Sequence, residues 1–165
     1  MTASRRARKR SVWPVLTLGL VIGACALSPA LRAATTERIV VDRHTGLAIY
    51  GIDPVAYFTE RKPVAGREEF EHRFAGAVWR FDNEGNRAAL IAHPGVYMPR
   101  YGGYDPVGIA RGVSTPGYSE LWTVTNNQLY LFYSTQARAT FISDPDAAIA
   151  AAEARWAQVS HELSE

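Results

Sequence analysis

A chain of 165 residues, 47% hydrophobic and 21% charged, is long enough for one domain of ordinary size and too apolar to stay disordered. Its formal charge of +2 is unevenly spread: six cations and no anion stand in the first 33 residues, while from Ala34 onward 12 basic residues face 16 acidic ones, a net of −4. An acidic body without a Lys/Arg cluster argues against nucleic-acid binding, and the single cysteine, Cys25, excludes an intramolecular disulfide or a zinc knuckle of several thiolates.

Residues 1–33 read as a signal peptide or membrane anchor. Arg5, Arg6, Arg8, Lys9 and Arg10 precede an apolar run and then small residues, the pattern of a secretory signal. Three outcomes are open. Cleavage follows Ala30 or falls near Ala33 or Ala34; or Ile22-Gly23-Ala24-Cys25 acts as a lipobox and Cys25 is lipidated; or Val12–Leu31, about 20 residues, stays as an anchor. The expected location is the periplasm, with membrane contact only through this segment.

Residues 34–165 are expected to form one small α+β domain, with β-hairpins packed on short helices and an amphipathic helix at the C-terminus. Ile39–Val41 and Leu47–Ile49 are short β-prone runs around a turn. Asp53-Pro54 reads as a helix start, the aspartate capping backbone N–H groups and the proline supplying the φ of the first helical position. A polar loop over 60–66 leads to a hairpin in which Phe70, Phe74, Trp79 and Phe81 are the expected packing residues. A helix from about Asn83 to Ala92 stops before Pro94, and a Tyr-, Pro- and Gly-rich stretch follows. Asp105-Pro106 opens a second capped helix ending near Gly112. Leu121–Val124 and Gln128–Phe132 form a second hairpin across Asn126-Asn127, two residues that tolerate positive φ. Arg138–Ile142 is predicted helical. The last helix starts at Asp144-Pro145, with Ile149, Ala152, Trp156, Val159 and Leu163 spaced as one buried stripe. GIDPVAY at 51–57 echoes GYDPVGI at 103–109, but the flanks do not match, so the echo reads as two independently capped helix starts.

No hydrolase elbow, H-E-x-x-H pair or phosphate-cradling glycine loop is present, so the expectation is a protein that is not an enzyme. His44, His72, His93 and His161 offer no closely spaced chelate. Eight tyrosines are many for this length, and rings with a polar tip serve either a small core or the wall of a ligand pocket.

Four stretches, GLAIYGIDPVAYFTERKPVAG, AVWRFDNEGNRAALIAHPGVYMPRYGGY, LWTVTNNQLYLFY and AEARW, stand in the order in which they occur in exported bacterial YHS-domain proteins. The chain resembles that family over residues 46–159. The resemblance implies a small α+β fold and a metal-handling role, the ligand being a transition metal ion (copper, zinc or iron) or a metal-containing cofactor. Relatives follow the YGGY motif with Cys-Ala, the cysteine opening a helix whose dipole favours a thiolate. Here Asp105-Pro106 replaces it, a hard carboxylate that either binds a cation as the candidate metal ligand or caps the helix. Phe132 stands where relatives often carry Asn. The capped helix starts are expected to bring Tyr57, Tyr101 and Tyr104 around Asp105 as cofactor-binding residues. The expected function is an exported envelope binding module, with a metal ion, a small ligand or an envelope protein as partner. The alternative is a metal-free structural or protein-interaction module of the envelope.

Overall fold

The computed structural model describes Arg38–Leu163, so residues 1–33, expected to be a signal peptide or membrane anchor, the expected cleavage positions and Cys25 lie outside the described residues. The order of elements is α1 (Ala56–Thr59), β1 (Arg67–Phe74), β2 (Ala77–Phe81), α2 (Glu84–Ala92), α3 (Pro94–Tyr97), α4 (Pro106–Ala110), β3 (Tyr118–Thr125), β4 (Gln128–Phe132), α5 (Thr135–Ser143) and α6 (Pro145–Glu162). β1 pairs antiparallel with β2, and β3 with β4, giving two separate two-stranded sheets. This is the mixed α+β class expected. Among the described residues, no helix is long and apolar enough to cross a membrane.

Local chemistry accounts for most boundaries. Asn83 and Ser134 cap α2 and α5 by accepting from the N–H groups of Asn86 and Ala137. Asp144 caps α6 and Pro145 opens it, as anticipated. Both hairpins turn on two residues of positive φ, Ala75 (50°) with Gly76 (82°) and Asn126 (52°) with Asn127 (56°), whose left-handed backbone matches the twist of the flanking strands. Two expectations need correction. The runs at 39–41 and 47–49 form only isolated bridges, Val41 to Ala48 and Leu47 to Val78, because Ile49 and Tyr50 enter a 3-10 turn over Ile49–Gly51 at positive φ. Phe74, an expected packing residue, stands exposed beside the hairpin turn, whereas Trp79 and Phe81 are fully buried.

The Asp-Pro echo is also more than two separate caps. From β1 onward each element of the first half has a counterpart starting 51 residues later, 67 and 118, 77 and 128, 84 and 135, 94 and 145. The hairpins share strand lengths of eight and five residues, and both break register at the same point, between Arg67 and Glu71 and between Tyr118 and Trp122. Before them, the 3-10 turn Ile49–Gly51 matches Arg100–Gly103, with Tyr50 (φ 61°) and Tyr101 (φ 54°) left-handed at equivalent places. The N–H of Gly66 donates to Gly51 O at 2.9 Å and that of Gly117 to Gly103 O at 3.0 Å. Both glycines are required by close approach: a Cβ would lie 2.4 Å from the carbonyl carbon of Arg80 at Gly66, and 2.6 Å from Leu131 Cβ at Gly117. The domain is therefore two copies of one supersecondary unit, a first repeat ending at α3 and a second ending at α6.

Each repeat builds its own core, and β4 is the wall they share. Leu129 and Leu131 pack with Trp79, Phe81, Tyr57 and Leu90 in the first core, while Tyr130 and Phe132 pack with Tyr101, Tyr104, Ile109 and Phe141 in the second. The alternation of a strand places successive side chains on opposite faces, and here both faces are covered. α6 seals the second core with Ala152 and Val159 buried and Ile149, Trp156 and Leu163 packed beside them, which is the stripe read from the spacing.

Candidate functional site

The two aspartates of the echo occupy equivalent places and do equivalent work. Asp53 is fully buried. Its Oδ1 accepts from the N–H groups of Val55 (2.8 Å) and Ala56 (3.4 Å), and its Oδ2 from Asp82 N–H (2.8 Å) and Asn86 Nδ2 (2.6 Å). One carboxylate thus holds the turn that leads into α1 and ties it to the β2–α2 junction. Asp105, also buried, accepts from Val107 N–H at 2.8 Å on Oδ1 and from Tyr133 N–H at 3.2 Å on Oδ2. It caps α4 and ties it to the β4–α5 junction. Of the two readings of Asp105 that the sequence left open, this geometry is that of the cap.

The tyrosines divide between the cores. Tyr57 lies in the first, edge-on to Trp122 at 5.1 Å, and its hydroxyl donates to Ser119 O at 2.9 Å. Burial, reinforced by the negative charges of Glu120 and Asp53, pushes this phenol well above its ordinary range. Tyr101 and Tyr104 come together in the second core, near Ile109 and Tyr130. Burial, with Tyr130 beside it, pushes the Tyr101 phenol up to about 12, against the opposing pull of Arg100. Both Tyr57 and Tyr101 therefore keep their protons at neutral pH and offer no phenolate to a cation.

These residues do not fit a transition metal. A ligand must present a lone pair outward in company with others, and both carboxylate oxygens of Asp105 already accept from backbone N–H groups. Among the described residues, no group of three His, Cys, Asp or Glu side chains stands close enough to hold an ion. His44, His93 and His161 are exposed, and His72 stacks on Phe74 with ring centroids 6.2 Å apart.

The described residues also line a groove of about 800 Å³. The first repeat contributes Phe74 from its hairpin end and Pro94 from α3; the second contributes Arg100 and Tyr101 from its 3-10 turn and Glu153 and Trp156 from α6; Met98 bridges them. Arg100 pairs with Glu153 and lies over the Tyr101 ring at 5.5 Å, while Tyr101 donates its hydroxyl to the same carboxylate at 3.2 Å. Trp156 meets Tyr101 edge to face at 5.4 Å. Apolar walls with a few fixed polar groups are the usual make-up of a small-molecule site. Tyr101 is the one sequence-predicted site residue on this wall. The others were missed because nothing local marks them, although the stripe position of Trp156 and the YGGY motif gave its two anchors. Comparison of the chain with family models, with curated proteins and with solved structures finds no match.

Proposed function

We propose that the protein is an exported, non-enzymatic binding module of the cell envelope, of YHS type, that works by holding an organic partner in the groove between its two repeats and not through a transition metal. The observation that carries this reading is the groove itself. Its walls come from residues far apart in the chain, and its polar groups are held in place by one another: Glu153 orients both Arg100 and Tyr101. Such preorganisation lowers the ordering cost of binding. Asp105, the position where relatives carry their cysteine, supports the same reading, since its carboxylate is committed to the backbone. The signal pattern of residues 1–33 supports export.

The test is fractionation followed by elemental analysis and native mass spectrometry of the protein isolated from the periplasm without chelator. The expected result is a protein in the envelope fraction with less than about 0.1 transition metal per chain, and binding of small organic ligands lost on Trp156→Ala. One metal per chain that disappears on Asp105→Ala would overturn the proposal in favour of metal handling. Recovery of the uncleaved, unmodified chain in the cytosol would overturn export.

A further inference from the structure

We propose that the outer edge of β3 is a self-association surface, on which two copies of the chain join as antiparallel strands across a two-fold axis at Thr123. The inference stands apart from the groove.

The strand pairing leaves that edge open. β3 and β4 form a two-stranded sheet, and β4 meets Pro99 along its other side, at Leu129. Among the described residues, no strand or bridge lies along the far side of β3. The register fixes which backbone groups face outward. Thr125 and Gln128 close the two-residue turn and exchange hydrogen bonds, as do Thr123 and Tyr130. Trp122 and Val124 alternate with them, so their N–H and C=O groups point away from β4. Two contacts agree with this assignment. Leu129, opposite Val124, is the residue that turns to Pro99, and Trp122 O accepts from Arg138 Nε of α5 at 2.7 Å. Among the described residues, nothing beyond the sheet bonds the N–H or C=O of Val124.

The edge is also thinly guarded by charge. β1, its counterpart, carries Arg67, Glu68, Glu69, Glu71 and Arg73, the dressing that keeps an exposed edge from pairing. β3 carries Glu120 and then Leu121-Trp122-Thr123-Val124-Thr125, an uncharged, half-buried, β-prone run without proline.

The strand that fits this edge is a second β3. Centred on Thr123, an antiparallel pair sets Trp122 opposite Val124 of the other copy, an aromatic against a β-branched residue, and the two complete each other's outward hydrogen bonds. Glu120 falls opposite Asn126 of the other copy, so no like charges meet. An isologous contact of this kind closes at two copies. Arg138 is the guard: its bond to Trp122 O must be released before that carbonyl accepts from another strand. A contact of one short strand that displaces an existing bond belongs to the weak, transient class.

The experiment is sedimentation equilibrium of the protein isolated from the periplasm, from about 5 to 500 µM in about 0.15 M salt, with hydrogen exchange read at both ends of the range. The expected result is a monomer–dimer equilibrium with a Kd of about 10–100 µM, and slower amide exchange at Trp122 and Val124 in the dimer. Val124→Pro removes an outward-facing donor and no bond to β4, and should raise Kd at least about tenfold. Thr123→Lys leaves Val124 in place and sets two ammonium groups together on the axis; it should weaken the dimer as much, and keeps the test decisive if the proline disturbs the strand. Arg138→Ala, which frees Trp122 O, should lower Kd several-fold. A monomer throughout the range would overturn the proposal, as would a dimer that keeps its Kd in both strand variants or leaves exchange at Val124 unchanged. A Kd unaltered or raised by Arg138→Ala would overturn the role of Arg138 as guard.

Discussion

The two repeats reach the same backbone by different chemistry. In the first, the buried aspartate is surrounded by four donors, one of them the Asn86 amide; in the second, Ala137 stands at the place of Asn86 and Asp105 keeps two. At the open end of the first hairpin Arg67 pairs with Asp82 and donates to its carbonyl; the equivalent residues of the second, Tyr118 and Tyr133, stack with centroids 5.6 Å apart. The first repeat ends in the four-residue α3, whereas the second ends in the 18-residue α6. The first is therefore closed by polar bonds around Asp53 and the second by an apolar helix face. The groove is lined by Pro94 of α3 and by Glu153 and Trp156 of α6, the two elements in which this symmetry fails. A duplicated fold keeps its hydrogen-bonded frame and varies what fills it.

The sharpest way to break this comparison is to remove the two aspartates in turn. Asp53→Ala strands four donors and is expected to cost about 4 kcal/mol, while Asp105→Ala strands two and costs about 2 kcal/mol, read from urea unfolding. Equal losses would mean the two cores do not differ as described. The glycines should behave alike. Gly66→Ala and Gly117→Ala each force a methyl against the facing strand and are expected to cost about 2–3 kcal/mol apiece. A loss at only one of them would undo the equivalence of the repeats.

The asparagine can be exchanged between repeats. Asn86→Ala is expected to lose about 1.5 kcal/mol, and Ala137→Asn, which supplies Asp105 with the donor its counterpart has, to gain about 1 kcal/mol. A destabilising Ala137→Asn would show that the second repeat has no room for the first repeat's solution. Alkaline titration compares the equivalent tyrosines Tyr50 and Tyr101. Both phenols are raised, mainly by burial, so the folded chain binds more protons than the unfolded one above pH 10. Their contribution to stability is complete below pH 10 and falls as pH rises toward about 12 for Tyr101. Tyr101→Phe should flatten that decline between pH 10 and 12 in a pH series of urea midpoints; an unaltered slope would count against its burial. Smallest of all, Arg67→Ala and Tyr118→Ala should each change stability by no more than about 0.5–1 kcal/mol, because both pairs are solvent-exposed. A larger effect of Tyr118→Ala would make the stack part of the second core.

Local chemistry was legible in the chain wherever neighbours in sequence settle the matter. Asp53, Asp105 and Asp144 followed by proline, Asn126-Asn127 between alternating residues, and the stripe from Ile149 to Leu163 each carry their structural meaning within a turn or two. The repeat was legible only in part: GIDPVAY echoes GYDPVGI, and Gly66, Phe81, Arg87, Ile91 and Pro94 recur 51 residues later as Gly117, Phe132, Arg138, Ile142 and Pro145, but most of its matching features are backbone bonds and register breaks, which residues as different as Arg67 and Tyr118 can frame equally well. The site was legible only in part. Tyr101 was named, but Trp156, Glu153 and Arg100 gain their meaning from meeting in space, and the separation of Tyr57 from Tyr101 and Tyr104 follows from β4 dividing the cores.

By itself, then, the sequence determined the helix starts, the hairpin turns, the amphipathic face of the last helix and the asymmetry of charge between its two ends, since each depends on residues within one turn of helix or one strand pair. The tertiary structure alone decided that β4 is buried on both faces, that Asp105 spends both oxygens on the backbone, and that Arg100, Glu153 and Trp156 share a groove. Those outcomes depend on which distant segments exclude water from one another, and packing between residues some 50 positions apart leaves no periodic trace in the chain.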